Sequence, residues 1–170
     1  MRKIYLLLAA LMLIGLAQAQ APFKSYTSPD AKFTINFPGP PNVSAPAQQE
    51  TEQGRAFTEQ HYDVADDAAY IVLTTDFPFA VDNKALDTVA KEQAASCGAS
   101  TPKIQSDNDY QGRSALLFTV DCPKSQKREA LALIVRAVAD RNRLYRVMYG
   151  TTERPDTDRV LTFLTSFHIN

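Results

Sequence analysis

Tryptophan is absent from this 170-residue chain, histidine and cysteine occur only twice each, and glycine six times. So few histidines and cysteines leave little material for a metal site or a nucleophile with its base. No His-x-x-x-His or Cys-x-x-Cys pair offers metal-ligand spacing, and no Gly-x-Ser-x-Gly elbow surrounds a serine. A charge of one sign is lacking too. Lysine and arginine number 18 against 19 aspartates and glutamates, a net charge of -1, which is no footprint for nucleic acid or anionic lipid. No internal repeat, low-complexity tract or mid-chain linker argues for a second domain. The one long apolar run, Ile4 through Leu16, holds 13 residues, short of the roughly 20 that cross a bilayer core.

What that run does have is an address. Arg2 and Lys3 precede it and Ala17-Gln18-Ala19 follows it, a small-x-small cleavage signature. The expected reading is a cleaved signal peptide over residues 1–19 and a single α+β domain over 20–170; an uncleaved membrane anchor is the competing one. The only cysteines, Cys97 and Cys122, lie far from the cleavage point, where a lipid-anchored product would need one. Removing 19 of the 170 residues leaves 151, a length typical of one domain. The removed stretch holds two of the 18 basic residues and none of the 19 acidic ones, so the remainder carries a charge of -3. A soluble periplasmic or secreted protein is expected, without stable membrane insertion after cleavage near Ala19.

In an oxidising compartment, two cysteines read as a disulfide before a metal site or a nucleophile. Leu86, Val89, Ala90, Ala94 and Cys97 recur at spacings of three and four, which puts Cys97 on the inward face of a helix. Leu116, Phe118, Val120 and Cys122 share one face of a strand. A bridge closing this loop of roughly 25 residues would contribute about 3.5 kcal/mol by loop-closure entropy. Two separate buried thiols are the alternative.

Along the chain, Phe33, Ile35 and Phe37 alternate with polar residues as in a half-buried strand, and Pro38-Gly39-Pro40-Pro41 stops it. Val43 through Gln49 is weakly patterned. Arg55 through Val64 and Tyr70 through Thr75 read as strands, and these four segments as an antiparallel meander. Asp82 or Asn83 can cap a helix running to about Cys97, with Gly98 as its stop. Ile104 belongs to a short strand, Gln111-Gly112 to a turn, and Ser114 through Asp121 to a strand. Glu129 through Ala139 is apolar beyond Glu129 itself except for Arg136, the pattern of a central strand covered on both faces. Leu144 through Tyr149 follows after a tight turn, so the two pair antiparallel. Pro155 suits the first turn of a second helix, with Val160, Leu161, Phe163, Leu164 and Phe167 as its apolar stripe.

Phe33-Thr34-Ile35-Asn36-Phe37-Pro38-Gly39-Pro40-Pro41, Tyr110-Gln111-Gly112-Arg113, Arg143-Leu144-Tyr145-Arg146-Val147 and Phe163-Leu164-Thr165-Ser166-Phe167 together resemble the PsbP-like superfamily of small exported bacterial proteins, which includes DcrB-like proteins. The resemblance implies one antiparallel sheet of about six to eight strands flanked by two main helices, an α/β/α sandwich. It also implies an accessory or partner-binding role rather than an enzymatic one, and carries over no catalytic residue and no cofactor.

The residues offer few chemical candidates of their own. His61 lies in a strand in phase with Phe57 and Glu59, and His168 sits near the C-terminus. Asp63 with Asp66 and Asp67, and Asp107-Asn108-Asp109, could begin a calcium site, but aspartate and asparagine also initiate turns. Lys124, Lys127 and Arg128, and Arg141 and Arg143, read as two solvated loops. A charge inside an apolar strand must find a partner or emerge at a groove, so Arg136 reads first as a structural ion pair with one of the aspartates, and it is also the leading candidate for a binding groove, with Tyr145 and Tyr149 beside it. The expected function is an exported non-catalytic accessory or partner-binding protein of the bacterial cell envelope, taking a protein or a small ligand. A small secreted enzyme, hydrolase-like, assembled around His61 is the alternative.

Overall fold

The structure, a computed structural model, describes residues 21–50, 56–105, 109–126 and 129–170. The expected signal peptide therefore lies outside the described residues, as do Asp107, Asn108, Lys127 and Arg128. In chain order the elements are β1 (Lys24–Ser28), β2 (Phe33–Phe37), β3 (Asn42–Val43), β4 (Ala47–Glu50), β5 (Ala56–Ala65), β6 (Ala69–Asp76) and α1 (Asn83–Ser96). They continue with β7 (Lys103–Gln105), β8 (Asp109–Tyr110), β9 (Arg113–Cys122), β10 (Leu131–Asp140), β11 (Arg143–Thr151), α2 (Thr157–Thr165) and β12 (His168–Ile169).

The fold is α+β and antiparallel, but the strands form two sheets where one was expected. The main sheet runs β3-β5-β6-β11-β10-β9-β7, with β4 also on β5 and β8 also on β9. A smaller sheet runs β1-β2-β12. Phe33–Phe37 thus leaves the expected meander: its neighbours are Lys24–Ser28, paired from Lys24↔Phe37 to Ser28↔Phe33, and His168–Ile169. Period-2 alternation marks a strand and its buried face but says nothing about which strand lies alongside. The long apolar segment is central, as its composition predicts, since β10 lies between β9 and β11.

Alternation along the main strands fills two apolar layers. On one face Leu73, Leu116, Phe118, Val135, Leu144 and Met148 pack under Leu86, Ala90 and Ala94 of α1. On the other, Tyr62, Tyr70, Val138, Tyr145, Val147 and Tyr149 meet Phe33, Ile35 and Phe37 of the small sheet and Phe163 and Leu164 of α2. The helices therefore sit on opposite faces, one of them shared with the small sheet.

Helix α1 begins where the Asp82 carboxylate accepts the Ala85 N–H at 2.9 Å. It ends in a Schellman motif: Gly98, at φ 74°, lets the Gly98 N–H reach the Ala95 carbonyl and the Ala99 N–H the Ala94 carbonyl. A Cys97–Cys122 disulfide, with Cα atoms 5.4 Å apart, ties this end of α1 to the end of β9. Helix α2 departs from expectation at its start. Asp156, not Pro155, opens it, accepting the N–H groups of Asp158 and Arg159, and Leu161 is 54% exposed instead of joining the apolar stripe. No helix among the described residues is long and apolar enough to cross a membrane.

Candidate functional site

Helix α1 packs on β9 and β10, and the same face of β5, β6 and β11 beyond it is left as the floor of a cleft. Its volume is about 530 Å³, within the range of small-molecule sites. Phe57 and Glu59 enter from β5, Thr75 from β6, and Leu144 and Arg146 from β11. The segment between β6 and α1 supplies Phe77, Phe79 and Val81, and α1 supplies Ala85, Thr88, Val89 and Glu92 as the opposite wall. Phe57, Phe77 and Phe79 form an aromatic row, with ring centroids 5.7 and 5.3 Å apart in sequence.

The polar floor is an ion pair. Arg146 Nη2 donates to Glu59 Oε2 at 2.9 Å, and the two side chains are only 19% and 14% exposed. Nη2 also reaches Thr75 Oγ1 at 3.5 Å, whereas the Arg146 Nε–H is buried with no hydrogen-bond partner among the described residues. Burial lowers the pKa of this guanidinium from its ordinary value, and the charges of Glu59 and Glu92 oppose that shift. Glu59 is well supplied with donors: besides Arg146 it faces His61 Nε2 at 3.1 Å and Gln49 Nε2 at 3.4 Å. The arrangement can bind. It joins an apolar slot to a guanidinium that still has an N–H without an acceptor.

The residues singled out in the sequence fall elsewhere. Tyr145 and Tyr149 lie in phase with Arg136 on β10 and β11, but that face is covered by the small sheet and α2, leaving the tyrosines 1% and 2% exposed. They are core residues, not groove walls; the Tyr145 hydroxyl donates to the Ala31 carbonyl at 2.8 Å. Arg136 is half-buried, donates to the Leu164 carbonyl at 2.8 Å and lies 4.3 Å from the Tyr110 ring centroid, so it clamps α2 to the sheet. His61, its side chain 48% exposed, stands next to the cleft without lining it. His168 is exposed on β12 opposite Thr34. Asp66 and Asp67 are engaged by buried Arg159, at 3.4 and 3.0 Å. Among the described residues no group of three or more histidine, cysteine, aspartate or glutamate side chains could hold a metal ion.

Sequence reasoning missed Arg146 and Glu59, although a signal existed. Strict alternation puts Arg146 between Leu144 and Met148 on an otherwise apolar face, the same anomaly that drew attention to Arg136. No family model, no curated protein and no solved structure matches this chain.

Proposed function

We propose that the protein is an exported, non-catalytic accessory or binding module of the bacterial cell envelope, periplasmic or secreted, and that it recognises its partner in the cleft beside α1. The observation that carries the site is the joining of a 530 Å³ apolar slot to the half-buried Arg146–Glu59 pair at its floor. The disulfide is compatible with an oxidising compartment. The PsbP-like resemblance points to the same accessory role.

Thr88 lines the cleft from the exposed side of α1, so Thr88→Trp fills the slot without touching the core. Native mass spectrometry of the protein after incubation with envelope extract should show bound species on the wild type that are missing from Thr88→Trp. Identical species on both proteins would refute the cleft as the recognition site.

A hydrolase built on His61 is the second reading, favoured by the 3.1 Å contact between its Nε2 and Glu59. Against it, that carboxylate is shared with Arg146, and the nearby Ser44 hydroxyl accepts from the backbone N–H of His61 and not from its ring. His61→Ala should leave the bound species of the wild type unchanged.

A further inference from the structure

The chemistry of the cleft narrows its occupant, on the premise that the cleft is the recognition site. Its walls are apolar along most of their length: Phe57, Phe77 and Phe79 on one side, Val89 and Ala85 on the other, Leu144 beneath. Its charged groups differ in what they still need. Glu59 already accepts from Arg146, His61 and Gln49, and Asp82 is used as the cap of α1. Arg146 is the opposite case. All its hydrogen bonds leave from Nη2, and its Nε–H is buried without a partner among the described residues. The guanidinium thus keeps donors without an acceptor although Glu92 lines the same cleft, and its planar form matches a carboxylate in geometry as well as charge.

The remaining charges set the limit on the other side. Glu59, Asp82 and Glu92 outnumber Arg146 and Lys84 around the slot, so a doubly charged phosphate would add to a local negative excess. A cationic head would have to stand beside Arg146. A singly charged oxygen acceptor meets both constraints, and the row of Phe57, Phe77 and Phe79, with successive ring centroids 5.7 and 5.3 Å apart, offers an elongated apolar wall to an extended body. We propose that the cleft takes a free monocarboxylate with an extended apolar body, its carboxylate on Arg146 and its chain along the phenylalanine row.

Decanoate, kept below its micelle threshold, is the probe, with decanol and decyltrimethylammonium as its neutral and cationic counterparts. Calorimetric titration should give decanoate at least about a tenfold advantage over decanol, the scale of a hydrogen bond to a charged group, and no saturable binding of the ammonium. Arg146→Lys keeps the charge but loses the fork; it should weaken decanoate at least about fivefold and decanol by a clearly smaller factor, a split that a merely structural role would not produce. Thr88→Trp should abolish both. Equal binding of decanoate and decanol, both lost in Thr88→Trp, would overturn the carboxylate inference while leaving the cleft as a binding site. No binding of any probe, together with an unchanged set of envelope species on Thr88→Trp, would overturn both. Flotation with phosphatidylglycerol vesicles without binding of dissolved decanoate would overturn the inference in favour of a membrane surface.

Discussion

Two arginines in similar sequence settings have different fates, and the difference lies in what covers them. Arg136 and Arg146 each interrupt an apolar alternation, yet Arg136 faces α2 and bonds the Leu164 carbonyl, while Arg146 faces the uncovered part of the opposite layer beside Glu59. Both anomalies were visible in the chain; which of them opened onto a cleft depended on where a helix lay 50 residues or so away in sequence, which no local pattern encodes. Removing one member of a mostly buried pair strands the other charge. Glu59→Ala should therefore cost about 2 kcal/mol, less than a fully buried pair because both side chains keep some solvent, and urea unfolding would measure it. A gain is expected at the tight turn between β10 and β11. Arg141 holds φ 59° there, a region that costs ordinary side chains about 1 kcal/mol and suits asparagine better. Arg141→Asn should raise the melting temperature by about 2 °C; a lower value would mean that the arginine side chain offsets its backbone strain.

Among the elements, α1 was the most legible because everything that defines it is local: Asp82 as cap, apolar spacings of three and four, Gly98 as stop. Cys97 and Cys122 could be paired from the sequence for the same reason, since each periodicity assigns its thiol a face, and the two faces meet in one core layer. The short strand at Ile104 was legible, but the two strands that flank Phe33–Phe37 were not. Lys24–Ser28 and His168–Ile169 are too short and too polar to announce themselves, and they exist because Phe33–Phe37 offers a backbone edge on each side. The cleft was likewise hidden, being the part of a sheet that a helix fails to cover. The disulfide fixes one end of that helix, so its removal acts on stability first. Cys97→Ser with Cys122→Ser, or reduction of the wild type, should lower stability by about 3.5 kcal/mol and the melting temperature by about 10 °C. Scanning calorimetry with and without reductant would show it, and equal melting temperatures would refute a stabilising bridge.

For the molecule as a whole, Tyr62, Tyr70, Tyr145 and Tyr149 share the second core layer with Phe33, Phe37, Phe163 and Phe167. Burial raises the phenol pKa of Tyr62, Tyr70, Tyr145 and Tyr149 above the ordinary value of 10.0. The folded state thus holds these protons more tightly than the unfolded chain. Their contribution is complete below pH 10.0, where unfolded phenols stay neutral, and is lost as pH climbs through the raised folded values. The urea midpoint should fall steeply above about pH 10, with phenolate absorbance appearing together with unfolding and not before it. That same layer is closed by the three-stranded sheet, in which Phe33 pairs with both Ser28 and Ile169. A chain that emerges N-terminus first, from a ribosome or a translocation pore, can form the β1–β2 hairpin early but must wait for residues 168–169 to complete it. Until then the backbone edge of β2 at Phe33 and Thr34 lacks its second neighbour, and the last strand is the latch that closes it.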